Sequence, residues 1–346
     1  MATMRDVAIR AGVSIATVSF VVNNTKRVAP DTRSRIIEAM DDLHYQRNVV
    51  ARALASHRTR IIALLYPALD HRAGPTIMKF ITKAASVAQE RGYDFVLWPV
   101  SNDAKQMSHL LAGGLVDGVI LMEVQINDAR VDKLVESNTP FALIGRTHDE
   151  SLPFVDIDFS TTLEQALDYF TELGHSHIAF VSERTPNSIL DDIGPLVRTA
   201  SAYRDGMVAR GLEQVVVYCE GSPHDGRQAA RDVLAADPET TAVIVMNENA
   251  AFGVVSGFKH AGLSVPEDVS VLSIATSSEM GALSDPILST MNAPAAELGE
   301  LGVAALIDLL EGTVEHPPHV LLACPLVLGE STGPAPDSAA VKRRST

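Results

Sequence analysis

A chain of 346 residues, 46% of them hydrophobic, is long enough for one small and one large domain with a substantial core. Two cysteines exclude a disulfide framework: Cys219 and Cys324 sit in apolar runs and read as buried, reduced thiols. No charged-then-apolar leader opens the chain and no apolar run approaches the ~20 residues that cross a bilayer. A soluble cytoplasmic protein with no membrane partner is expected. The net charge of −15 is unevenly divided. Residues 1–60 hold ten Lys/Arg against five Asp/Glu, giving +5, and the remainder holds eighteen against thirty-eight, giving −20. A basic head on an acidic body is the asymmetry expected if only the head meets phosphate.

In chain order, Met4 to Arg10 reads as a short helix with Val7, Ala8 and Ala11 inward. Gly12 supplies a turn in which positive φ costs nothing. Ser14 has the chemistry to cap a second helix, in which Ile15, Val18, Val21 and Val22 recur at helical spacing. Two such helices joined by a glycine turn form a helix-turn-helix, whose second helix enters the major groove of DNA. A third helix starts near Pro30 and Asp31, with Ile36, Ile37, Met40 and Leu43 as its apolar face. The resulting core is small, so a marginally stable head is expected. Val49 to Ser56 has good helix formers but is about two turns long, which needs a partner to hold it.

From Arg60 the texture changes. Apolar runs at Ile61–Tyr66, Phe95–Trp98, Val119–Met122 and Phe141–Ile144 alternate with helical stretches. A second series follows at Ile178–Val181, Val215–Tyr218, Ala242–Met246 and Val269–Ile274. Alternation of this kind predicts two α/β lobes with parallel sheets and a ligand cleft at the carboxyl ends of their strands. Ala295–Leu310 predicts a last helix and Val320–Leu328 an extended run. Gly333–Thr346, rich in Pro, Ala, Ser and charge, reads as a disordered tail. The expected domains are therefore a headpiece at 1–46, a hinge helix or linker at 47–59, a two-lobed effector and dimerisation domain at 60–332, and the tail at 333–346. No Gly-x-Gly-x-x-Gly, Walker-type Gly-Lys-Ser/Thr, nucleophile elbow or His-Glu-x-x-His accompanies the predicted elements, so neither an enzyme nor a cofactor is expected.

Asp6-Val7-Ala8, Ala11-Gly12-Val13-Ser14, Thr17-Val18-Ser19 and Asn23, then Thr32-Arg33, Tyr45, Asn48, Ala51, Arg52 and Leu54, resemble the LacI/GalR family of bacterial transcription regulators. Asp117-Gly118-Val119-Ile120, Leu173-Gly174-His175, Asn247-Glu248, Val265-Pro266-Glu267-Asp268 and Ser331-Thr332 extend the resemblance over residues 3–332. It implies a homodimeric repressor, or less often an activator. A three-helix headpiece and a periplasmic-binding-protein-like domain would bind a pseudo-palindromic double-stranded DNA operator and a small effector.

In that resemblance Thr3, Met4, Arg5, Ser14, Thr17, Ser19, Asn23, Thr32 and Tyr45 belong to the DNA face, where polar and basic groups grip phosphate and set register. Base readout falls to Ile15, Ala16 and Phe20. The position of Phe20 is usually arginine in the family, and a phenyl ring cannot make the bidentate contact to guanine. Either Phe20 faces DNA or it turns inward onto the third helix. Asn48, Ala51, Arg52 and Leu54 belong to the hinge, with Leu54 as an apolar wedge in the minor groove. Arg47 replaces a usual proline.

The cleft departs further from the family. Sugar-binding relatives carry an arginine before the helix containing Ala202-Tyr203; here Thr199 stands there, after Arg198. An aspartate after the strand Val269–Ile274 is Ala275, followed by Thr276. Another acidic position is Gly145, followed by Arg146. Asp158 and Asn247 keep the pattern, and Tyr66 could stack on a ring. A carbohydrate is the first expectation by family, gripped by Tyr66, Arg146, Asp158, Arg198, Thr199, Asn247, Ala275 and Thr276. A ligand of another class, or none, is the alternative.

Overall fold

The computed structural model describes residues 2–23, 26–45, 58–67, 74–101, 104–183, 192–314 and 318–337. The chain divides into two compact units, Met1–Thr59 and Arg60–Thr346.

Among the described residues the first unit holds three helices, α1 (Met4–Ala11), α2 (Ile15–Asn23) and α3 (Pro30–Asp42). Thr3 and Asp6 form a reciprocal capping box at the start of α1, and Gly12 closes it at φ 67. Ser14 caps α2 as expected: its Oγ accepts the Thr17 amide at 3.1 Å. Pro30 opens α3 at a position where its missing N–H costs nothing. Val7, Ala8, Ala11, Val18, Val21, Val22, Ile36 and Ala39 form the buried centre. Ile37, expected on the inner face, is exposed, because one residue past Ile36 turns it well round the helix.

The second unit holds two six-stranded sheets. The first lobe contains β1 (Ile61–Pro67), β2 (Asp94–Val100), β3 (Gly118–Leu121), β4 (Phe141–Ile144), β5 (Phe154–Ile157) and β11 (His319–Leu322), ordered β11-β5-β4-β3-β1-β2. The second contains β6 (Ile178–Glu183), β7 (Val215–Cys219), β8 (Ala242–Val245), β9 (Ser270–Thr276), β10 (Ser289–Asn292) and β12 (Leu326–Val327), ordered β12-β10-β9-β8-β6-β7. Every pairing is parallel except β12, which runs antiparallel to β10. Burial on both faces explains the continuous apolar runs.

Helices α4 (Pro75–Glu90), α5 (Met107–Ala112) and α6 (Ala129–Glu136) belong to the first lobe. Helices α7 (Phe159–Glu172), α8 (Gly194–Ala209), α9 (Pro223–Ala236), α10 (Glu248–His260) and the short α11 (Ser278–Gly281) belong to the second. The last helix, α12 (Ala295–Glu311), returns to pack on α4 and β4 of the first lobe. Its contact with α4 is close: a Cβ on Gly299 would lie 2.7 Å from the Phe80 carbonyl oxygen. The extended run expected over Val320–Leu328 is two strands in different sheets, because the chain crosses between lobes at Ala323–Pro325. Cys219 and Cys324 are free and buried, and burial pushes each thiol up to about 12.

The segment from Gly333, expected to be disordered, starts as a tied strap. The Gly333 amide donates to Ser270 Oγ at 3.0 Å, and the Ala335 amide to the Leu173 carbonyl at 2.8 Å. Backbone hydrogen bonds hold it, which composition does not reveal. His175 is buried between Thr241 Oγ1 at 2.9 Å and the Gly333 carbonyl at 3.0 Å. Burial draws its imidazole below the ordinary 6.5, against the pull of the Gly333 carbonyl. A base with a depressed folded value gives stability that is present above its unfolded value and lost as pH falls through the folded one. Melting the full chain in steps from about pH 7 to about pH 5 should show a falling Tm, and His175→Asn should fall less steeply.

Candidate nucleic-acid interface and interlobe cleft

On the head, the start of α2 presents its side chains outward. Ile15 is 49% exposed and Ala16 is exposed beside it, while Val18, Val21 and Val22 are buried on the opposite side. Ser14 and Thr17 hydroxyls lie 2.7 Å apart, so part of their hydrogen-bonding capacity is spent on the cap. Thr3 is likewise engaged in the α1 cap, whereas Arg5 is exposed. Met4 and Tyr45, expected on the DNA face, are half-buried against the head core, where an apolar surface must be covered. Thr17, Ser19 and Thr32 are half-buried, and Asn23 ends α2.

Phe20 is half-buried outside the head's hydrophobic cluster, and the Lys26 ammonium sits 5.0 Å from its ring centroid. The contact is a cation–π pair, and a half-buried ring is compatible with either orientation expected for it. Arg5, Lys26, Arg27, Arg33 and Arg35 are exposed, and Arg10 pairs with Asp42 at 2.6 Å. Asn48, Ala51, Arg52 and Leu54 lie outside the described residues.

The second unit carries a cavity of about 200 Å³ between its lobes, at the carboxyl ends of the strands. Its floor is apolar, with Ile77, Phe80, Ile157 and Phe159; its polar wall includes Glu123, Asp156, Glu183 and Glu248. Among the contacts that join the lobes are two on its α4 side. Thr76 Oγ1 on α4 donates to Glu248 Oε2 at the start of α10 at 2.7 Å, and Lys79 Nζ lies 2.5 Å from Glu279 Oε2 of α11.

Of the eight expected effector residues, Asn247 and Ala275 line this cavity. Asn247 caps α10 by accepting the Asn249 and Ala250 amides, and its Nδ2 donates to Glu183 Oε2 at 2.8 Å. Ala275 is held at φ 53, a left-handed conformation that non-glycine residues seldom take. Thr276 stands behind the wall, donating to Glu248 Oε2 at 3.0 Å.

The other five are placed elsewhere for identifiable reasons. Asp158 caps α7, accepting the Thr161 amide at 3.0 Å and the Thr161 hydroxyl at 2.8 Å. Arg146 Nε donates to Asp156 Oδ2 at 3.0 Å. Arg198 and Thr199 lie inside α8, which starts at Gly194, earlier than the sequence indicated. Arg198 Nη2 donates to the Thr147 carbonyl at 3.0 Å, and Thr199 Oγ1 to the Pro195 carbonyl. Tyr66 is buried on β1 among core side chains. Burial pushes the Asp156 carboxyl up from its ordinary value, against the opposing hydrogen bond from Arg146.

Sequence reasoning passed over Glu123, Asp156, Glu183 and Glu248 as cleft residues. For Glu123, Glu183 and Glu248 the available signal was a position within two residues of the end of a predicted strand; Asp156 lies on β5, which was not predicted.

A basic helix-turn-helix head and a two-lobed α/β body with an interlobe cavity, in one chain, define the class of DNA-binding transcription regulators. Residues 3–48 match the family of bacterial regulatory proteins, lacI family, and residues 167–332 match a periplasmic binding protein-like domain. Catabolite control protein A of Streptococcus mutans is 31% identical over 315 residues, covering 89% of this chain and 91% of its own. A transcriptional regulator CelR–cellobiose complex superposes with a TM-score of 0.72 at 27% identity, covering 96% of this chain and 100% of the other. The lac repressor dimer bound to operator and the anti-inducer ONPF superposes at 0.82 with 24% identity, over 96% of this chain and 99% of the other. The chain belongs to the lacI family of bacterial regulatory proteins. It is a sequence-specific DNA-binding regulator of transcription. Among the described residues no helix is long and apolar enough to cross a membrane.

Proposed function

We propose that the chain acts as a homodimeric repressor of a pseudo-palindromic operator, released or engaged by a small effector in the interlobe cleft. The observation that carries this reading is the division of labour within one chain. An exposed Ile15–Ala16 surface lies on a basic head, and an interlobe cavity lies in a separate body. The relative solved with cellobiose supports a cleft that holds a small polar molecule.

Ile15 and Ala16 offer apolar contact, most naturally to thymine methyls. Phe20 cannot grip guanine as arginine does, so the half-site differs from those of arginine-bearing relatives. Two-fold symmetry of the dimer places two such half-sites as an inverted repeat. The effector acts by binding two lobe arrangements unequally, and a coupling of about 1–3 kcal/mol changes operator affinity about 5- to 150-fold.

Selecting binding sequences from random DNA with the purified chain tests the reading. Recovery of an inverted repeat with T-rich contacts in each half supports it; an asymmetric or featureless pool refutes it. Leu54 enters as the wedge that kinks the operator centre. Leu54→Ala is expected to weaken operator binding far more than binding to random DNA in a filter assay, and equal losses on both would remove the wedge.

A further inference from the structure

Taking the cleft as the effector site, we propose that Arg198 is a releasable latch between the lobes, with Asp156 of the cavity wall as the counter-charge through which a bound ligand works it. Arg198 stands on α8 of the second lobe, yet its Nη2 donates to the Thr147 carbonyl of the first at 3.0 Å. Asp156 is on β5 of the first lobe, lines the cavity and accepts from Arg146 Nε at 3.0 Å. The charges of Arg146 and Arg198 both favour the Asp156 carboxylate, and they repel each other. The carboxylate thus holds two cations together where the lobes meet.

This seam is built of backbone as well. The Ile126 amide donates to the Asp192 carbonyl and the Gly194 amide to the Val124 carbonyl, each at 2.8 Å, so Gln125 and Ile193 pair as an antiparallel bridge. The Asn127 amide donates to Asp192 Oδ2 at 2.9 Å. Val124, Thr147, Ile193 and Gly194 are buried, which keeps water from competing for the bonds around them. The two contacts on the α4 side are between side chains, and there Lys79 and Glu279 are 41% and 68% exposed. Solvent screens that ion pair, so it adds little to closure.

The latch carries its own release. Arg198 Nη1 is buried with no hydrogen-bond partner among the described residues, and an unpaired buried donor costs free energy. Gly194 makes room for the guanidinium: a Cβ there would run into Nη1 and lie 3.0 Å from the Val124 carbonyl oxygen. A group fitted this closely but satisfied only in part depends on the charge of Asp156. A ligand that engages Asp156 draws on that charge, so occupation of the cavity loosens the seam.

Hydrogen exchange of the full chain, followed by mass spectrometry over residues 124–127 and 192–198, tests this. Arg198→Met, which keeps the stem and removes the donors, is expected to speed exchange there about tenfold or more, with β3 and β8 unchanged. Arg198→Lys, which keeps a cation beside Asp156, should recover part of the protection. Asp156→Asn should loosen the seam from the other lobe, and it supplies the comparison should Arg198→Met fail to fold. Unchanged exchange in the variants that fold, equal acceleration in β3 and β8, or a lysine no better than methionine overturns the latch. Operator affinity of the same variants is read separately by filter binding, where a loosened seam should change it about fivefold or more. A loosened seam with unchanged operator affinity supports the latch and instead removes control of DNA binding by lobe arrangement.

Discussion

Raising the salt from about 50 to about 200 mM is expected to cost the dimer about 10³- to 10⁵-fold in operator affinity, the loss for some 6–10 neutralised phosphates. Each head exposes Arg5, Lys26, Arg27, Arg33 and Arg35, so two heads carry enough cations for that number of contacts. The body cannot contribute, since residues beyond 60 carry eighteen basic against thirty-eight acidic groups. Its charge repels backbone phosphate and confines contact to the head. The loss arises from the entropy of counterion release, so it should appear as a straight line in log affinity against log salt. Filter binding on one operator across that range measures it, and a flat response contradicts DNA binding through the head.

Ile36→Ala is the second large effect. Ile36 is fully buried at the centre of a head core made of eight residues, three of them alanine. Removing a buried isoleucine to alanine costs about 2–5 kcal/mol through lost transfer energy and the cavity left behind. A core this small has little stability to lose. The head should therefore unfold near physiological temperature, and operator binding should vanish. Met1–Thr59 and Arg60–Thr346 are separate compact units with separate cores, so the main melting transition should stay in place. Calorimetry distinguishes the outcomes: an early small transition with an unmoved large one is expected, and a single shifted transition would show that the head and body melt as one.

Much of the architecture was legible because burial leaves a mark on residue type. The runs Ile61–Tyr66, Ile178–Val181 and Ala242–Met246 are buried on both faces, and apolarity reports that directly. The missed strands are those whose sequences carry polar residues. β5 holds Asp156, buried with Arg146 as its partner, and β10 reads Ser289-Thr290-Met291-Asn292. Their hydroxyls and carboxylates are satisfied by residues distant in sequence, such as Ser289 Oγ with Thr332 Oγ1 at 2.7 Å.

The Ser14 cap was readable because capping is local, three residues to Thr17; the equally local Thr3–Asp6 box at the start of α1 was not read. The cleft was not. Asp158, Arg198 and Thr199 have the right chemistry for a polar ligand, but Asp158 and Thr199 bond within their own helices and Arg198 Nη2 donates to the Thr147 carbonyl. Glu248 and Glu183 face the cavity because two lobes far apart in sequence meet there, which local pattern does not encode.

Binding of the full chain to its selected operator, against scrambled DNA of the same length and composition at one fixed salt, tests the central claim most directly. A regulator reading bases through Ile15, Ala16 and Phe20 should prefer the operator by about 10³-fold or more. Equal affinity for the two DNAs would leave only phosphate contact and would contradict a sequence-specific regulator.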